Sequence, residues 1–111
     1  MTDSEPTVVL FRVWRAAPKT VIALFPYELG TMDPATCQSY EHMGQHGPAN
    51  PVLVIGATRP ATPEEYADLR RELERPPYGY RLTVRQRTPH DDAEVRAAKL
   101  RRMREAARHA V

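Results

Sequence analysis

The chain holds one cysteine, Cys37, among 111 residues, so no intramolecular disulfide can brace it. Nothing else speaks for an oxidising compartment, and a reducing cytoplasm is the expected setting. Long apolar runs are also missing. No segment approaches membrane-spanning length, and the start, Met-Thr-Asp-Ser-Glu-Pro, lacks the basic and apolar regions of a secretory signal, so no membrane partner is expected. Glycine is scarce, five against eleven prolines, which makes stiff connections. The net charge of +2 is too small to argue for a polyanionic partner by itself.

What is present describes an ordinary globular protein, with 41% hydrophobic and 27% charged residues. Its length suits one domain that hides about two-thirds of its unfolded surface. The charge is uneven. Residues 1–80 carry seven basic and ten acidic groups, whereas 81–111 carry nine and four. Any positive field therefore sits at the C-terminal end.

Residues 1–6 read as a lead-in. From Thr7 to Arg15 a β-branched and aromatic run, too short for a typical helix, predicts a strand, and Thr20 to Tyr27 predicts a second. Ala16-Ala-Pro-Lys19 turns between them, so the two should form an antiparallel hairpin. Both strands are apolar on both faces and need cover on both.

Glu28 to Pro51 is a long connection in which Pro34 to His42 fits a short helix ended by Gly44. Val52-Leu-Val-Ile55 fits a third strand. A helix follows, with Thr62 as N-cap, Pro63 at the first helical position, Glu65 closing a capping box, and Tyr66, Leu69 and Leu73 on one stripe. Pro76-Pro77 ends it. Tyr80, Leu82 and Val84 then alternate with Arg81, Thr83 and Arg85, a half-buried strand, and strand–helix–strand from 52 to 87 implies a right-handed parallel βαβ unit. Asp91 to Val111 predicts a second long helix, acidic at its start and basic towards its end. The expected architecture is α+β: a hairpin, a long loop and a βαβ unit in one small mixed sheet spanning 7–89, then a basic helical tail over 90–111. One amphipathic helix cannot cover both faces of the hairpin. Either the loop and tail pack on the second face or a partner does, which raises self-association as a homodimer.

The candidate site lies in the loop, Cys37-Gln-Ser-Tyr-Glu-His-Met-Gly-Gln-His46-Gly47. Cys37, His42 and His46 have the residue types of a zinc site, but a structural site wants four ligands and usually paired cysteines. No cofactor is assigned. Cys37 with a neighbouring imidazole is the enzymatic alternative, with Ser39 in the same part, although no oxyanion-hole motif accompanies either. Cys37, Ser39, Tyr40, His42, Gln45 and His46 taken together suit a surface for a protein or small ligand, and a non-enzymatic binding role is the preferred expectation. The bland alternative is that these groups satisfy the backbone of a folded-back loop. A second class is nucleic-acid association through Arg81, Arg85, Arg87, Arg96, Lys99, Arg101, Arg102, Arg104 and Arg108, with Tyr78 and Tyr80 close by for stacking.

Three blocks, Val-Ile-Ala-Leu-Phe-Pro (21–26), Cys-x-Ser-Tyr-x-His-x-Gly-Gln-His-Gly (37–47) and Arg-Pro-Ala-Thr-Pro-Glu-Glu-Tyr-Ala-Asp-Leu (59–69), together resemble a family of small uncharacterised bacterial and phage-type proteins. The resemblance covers residues 8–87 and leaves the basic tail outside. It implies a phage or mobile-element setting and supplies no catalytic role.

Overall fold

A computed structural model describes residues 5–42 and 45–109, so Gly44, the expected helix terminator, and the first and last residues of the chain fall outside the described residues. The hairpin forms as expected. Strands β1 (Thr7–Trp14) and β2 (Val21–Leu29) pair antiparallel, with Leu10 opposite Leu24 and Val13 opposite Val21. Three elements then follow where the sequence suggested a loop and a strand: β3 (Cys37–Glu41), β4 (Gln45–Ala49) and helix α1 (Pro51–Ala57). Strand β5 (Thr58–Pro60), helix α2 (Pro63–Glu74), strand β6 (Leu82–Val84) and helix α3 (Asp92–His109) complete the chain. The sheet order is β4-β3-β2-β1-β5, with β6 also on β1, and the fold is α+β.

The expected helix over 34–42 is a strand instead. Residues 31–36 close a tight polar turn, in which Asp33 Oδ1 accepts from the Ala35 amide at 2.9 Å and Thr36 Oγ1 donates to the Asp33 carbonyl at 2.8 Å. The chain then pairs with β2 rather than coiling. Gly30 permits this approach, because a Cβ there would collide with the Cys37 carbonyl oxygen.

The expected strand at 52–55 is helical. A short apolar run does not distinguish a strand from a buried helical turn, and here the cap decides. Asn50 Oδ1 accepts from the amides of Val52 and Leu53 at 3.0 and 3.3 Å, with Pro51 entering the first turn. Only one side of this turn meets the sheet. Val54 is buried, while Val52 and Leu53 are 79% and 70% exposed.

The strand before α2 is therefore 58–60, and the βαβ unit is not parallel. β5 runs antiparallel to β1 beside Arg12 to Trp14, and β6 runs parallel to it beside Thr7 to Val9, so the two oppose each other in direction. They lie end to end along one edge. Thr7 N, Val9 O and Phe11 O point to that edge and meet Arg81 O, Arg85 N and Ala61 N at 2.6, 2.9 and 2.9 Å.

Each face of the β1–β2 ribbon is covered by the chain itself, which removes the argument for a covering partner. Val9, Phe11, Val13, Ala23, Phe25 and Tyr40 pack against Leu69 and Leu73 of α2, with Tyr66 stacked on Phe11 at 4.4 Å. On the other face Leu10, Ile22, Leu24 and Cys37 pack with Val54 of α1, and the first half of α3 lies along β2. Two buried arginines pin this second cover. Arg12 donates to Thr58 Oγ1 (2.9 Å) and the Thr58 carbonyl (3.0 Å), holding the end of α1. Arg96, only 2% exposed, donates to the carbonyls of Pro26 (2.6 Å) and Pro34 (2.8 Å) and pairs with Asp92 (2.9 Å).

Thr62 and Glu65 form the expected capping box, and Glu65 also receives the Arg59 guanidinium at 2.8 and 2.6 Å. These donors hold the Glu65 carboxyl down at about 2, against an ordinary 4.5. A depressed folded pKa contributes stability above the unfolded value that is lost as pH falls through the folded one. The wild type should therefore exceed Glu65→Gln in thermal midpoint at pH 7, and the difference should shrink from about pH 4.5 and vanish near 2. Replacing Arg96 by methionine should cost about 3 kcal/mol in urea unfolding, since buried carbonyls and Asp92 lose their donor. Arg104→Met, at an exposed position, should stay within about 0.5 kcal/mol.

Candidate functional site

Within the motif, β3 and β4 pair antiparallel, and the period of two divides their residues between the faces of the sheet. Cys37 and Ser39 point towards the α1 and α3 side, whereas Tyr40 points towards α2 and joins its core. Across the hairpin Tyr40 pairs with His46, Ser39 with Gly47 and Cys37 with Ala49. The sequence neighbours Cys37 and His42 or His46 are thereby separated by the sheet itself. Among the described residues no group of three or more His, Cys, Asp or Glu side chains is placed to hold a metal ion.

Cys37 and Ser39 are structural in their surroundings. Burial pushes the Cys37 thiol up to about 11, against the attraction of the nearby Arg96 cation. Ser39 Oγ donates to the Gly47 carbonyl at 2.9 Å and ties the two strands together. Neither is presented to solvent.

The α2 side is different. Tyr40 is fully buried, and its hydroxyl donates to one oxygen of Glu72, whose other oxygen lies 2.5 Å from His42 Nδ1. The Glu72 side chain is 14% exposed and that of His42 is 73%, so the carboxylate anchors an imidazole whose far edge is in water. With Nδ1 engaged, Nε2 is the nitrogen left to face outward. A cleft of about 790 Å³ opens here between α2 and the strands beside it, lined by His42, Glu72, Gln45, Thr20, Arg71 and Arg75 among others.

Further along the same face, His46 stands in an aromatic wall. Its ring is 4.6 Å from Tyr40 and 5.2 Å from Tyr78, and its Nε2 is 3.5 Å from the Tyr80 hydroxyl. Tyr80 in turn stacks on Phe25 at 5.2 Å, and burial raises its pKa. Beside them is a depression of about 470 Å³ floored by Phe25 and bounded by Gln38, His46, Tyr80 and Glu28.

Of the six candidate contact residues, His42, Gln45 and His46 are exposed, and Cys37, Ser39 and Tyr40 are buried. Glu72 escaped sequence reasoning because it belongs to the polar side of α2. Its only signal is its place three residues after Leu69 and one before Leu73, at the margin of the buried stripe. Of the basic candidates, Arg96 and Lys99 are corrected. Arg96 is the buried staple described above, and Lys99 Nζ donates to the Tyr27 carbonyl at 2.7 Å and pairs with Glu28 at 3.3 Å. Arg85 and Arg87 are exposed on the segment leading to α3, while Arg101, Arg102, Arg104 and Arg108 are exposed on its second half. No described helix is long and apolar enough to cross a membrane.

No protein-family model, no curated protein and no solved structure matches this chain. The geometry therefore stands by itself.

At pH 8 a thiol shifted from 9 to about 11 exposes roughly a hundredth as much thiolate. Iodoacetamide should label native Cys37 at least about 100-fold more slowly than the urea-unfolded chain. His42→Ala should leave the native rate unchanged, since the imidazole stands on the opposite face.

Proposed function

We propose that this chain is a small non-enzymatic binding protein that uses the α2 side of the 37–47 hairpin as its contact surface. His42, Gln45 and His46 supply its polar groups, and Tyr78 and Tyr80 supply its aromatic floor. The observation that carries this reading is the exposed His46 ring held between Tyr40 and Tyr78, 3.5 Å from the Tyr80 hydroxyl. Aromatic rings with polar edges, ordered on a rigid sheet, provide contact area at small cost in conformational entropy. The two depressions flanking His46 and His42 give the surface relief into which a partner side chain fits.

An enzymatic reading has less to stand on. The thiol is sealed on the other face with its pKa pushed up to about 11. A carboxylate-held imidazole is one component of general-base catalysis, yet among the described hydrogen bonds no hydroxyl or thiol nucleophile is bonded to His42. A lone buried thiol suits a reducing cytoplasm. The phage or mobile-element setting rests on the resemblance alone.

Selection of a phage-displayed peptide library against the immobilised wild type tests this. Recovered peptides should bind at least about 10-fold more weakly to His46→Ala, whose thermal midpoint should stay near wild type because the ring is exposed. Backbone amide shifts on peptide addition should cluster in 38–49 and 78–80. Peptides that ignore His46→Ala and shift α1 or α3 instead would refute the assignment.

A further inference from the structure

A second surface, independent of the hairpin, lies on α3. Leu100 is the last buried residue of the helix; every described residue from Arg101 to His109 is exposed, and Arg102, Met103 and Ala106 only line an open cleft against residues 28–32. This half carries Arg101, Arg102, Arg104 and Arg108 against the single acid Glu105. Helical spacing places Arg101, Arg104 and Arg108 on one stripe, three and four residues apart. The neighbouring side, continuing the docked face, holds Met103, Ala106 and Ala107.

A purely solvated basic face accounts poorly for this half-helix. Arg108 and His109 complement the helix dipole in the last turn, but Arg101, Arg102 and Arg104 stand too far from the end to gain much from it. Like charges at these spacings repel, and a purely solvated face leaves that repulsion uncompensated. No ion pair or hydrogen bond is found for the side chains of Arg101, Arg102, Arg104 or Arg108 among the described residues. The geometry lacks a counter-charge that a polyanion would supply.

We infer that the second half of α3 is a docking stripe for the phosphate backbone of duplex nucleic acid, contacted by Arg101, Arg104 and Arg108. The three guanidiniums span about 10 Å of helix axis, over which one strand of a duplex presents about three phosphates. The charged cations of this half-helix are all arginines, whose planar fork matches phosphate oxygens in pairs. A membrane surface fits worse, because the apolar side offers Met103 and alanines without the Trp, Phe or Leu that anchor an interfacial helix. The assignment narrows the basic candidates. Arg96 and Lys99 are occupied within the fold, and Arg85, whose charge acts on Tyr27, lies near the Asp91 end, about 24 Å along the helix from Arg108.

Fluorescence anisotropy with a labelled 20-base-pair DNA of mixed sequence, and an RNA duplex of the same sequence, tests this on the full chain. Three phosphate contacts predict that affinity falls about 40-fold between 50 and 200 mM salt, from a low-salt Kd on the order of micromolar. The triple variant Arg101→Gln, Arg104→Gln, Arg108→Gln should lose that dependence, its slope of log affinity on log salt shrinking by about 2.7. An equally charged control, Arg15→Gln, Lys19→Gln, Arg87→Gln, should keep most of the binding; these positions are exposed, and both triples should keep the wild-type urea midpoint. Stronger binding to the RNA duplex than to the DNA, or the reverse, names the source of the phosphates and supports the stripe either way. Equal losses in the two triples would overturn it. So would absence of duplex binding at 50 mM salt, or wild type that sediments with phosphatidylserine vesicles or binds polyglutamate more tightly than either duplex.

Discussion

The fold depends on covering a two-stranded ribbon that is apolar on both sides. Val9, Leu10 and Leu24 have no exposed surface, and each fully buried aliphatic side chain of this kind contributes roughly 1.5–3 kcal/mol. Every other element is positioned by that requirement. α2 brings Leu69, Leu73 and Tyr66 to one face, and α1 with the first half of α3 brings Val54, Arg96 and Leu100 to the other. β1 is the strand on which all of this converges, since β2 takes one edge and β5 and β6 share the other.

The two covers are built differently. The α2 side is a continuous apolar and aromatic core, stacked at Phe11–Tyr66 and Phe25–Tyr80. The opposite side has less apolar material, and there the guanidinium forks of Arg12 and Arg96 collect backbone carbonyls that would otherwise be buried without donors. A guanidinium has five donors in a plane, which lets Arg96 pin strand β2 at Pro26 and the 31–36 turn at Pro34 together. No described residue of α3 beyond Leu100 is buried, so burial and exposure divide the helix there.

The same alternation that makes a sheet two-faced governs the candidate site. A motif holding cysteine, serine, tyrosine and two histidines within eleven residues invites a single cluster. Strand geometry disperses it. The thiol enters a sealed interior and the imidazoles go to the far side, where His42 meets a carboxylate from α2 and His46 meets tyrosines from the segment after it. What chemistry the motif offers is decided by partners thirty or more residues away in the chain.

The sequence by itself determined what neighbouring residues can settle: the β1–β2 hairpin, the capped start of α2 at Thr62 and Glu65, the alternating strand near 82–84, the α+β class and the basic end of the chain. Caps and periodicities act within one or two turns of backbone, so consecutive residues are enough to read them. Only the tertiary structure decided that 37–41 is a strand, that 52–55 is a helical turn, that β5 and β6 oppose each other, and that Arg96 and Lys99 belong to the interior contacts while Arg101, Arg104 and Arg108 do not. These outcomes turn on which edge of β1 was vacant and where the covering elements ended. Glu72 shows the reason most plainly: nothing near it in sequence needs a carboxylate, and its partners Tyr40 and His42 reach it only once the sheet and α2 are packed.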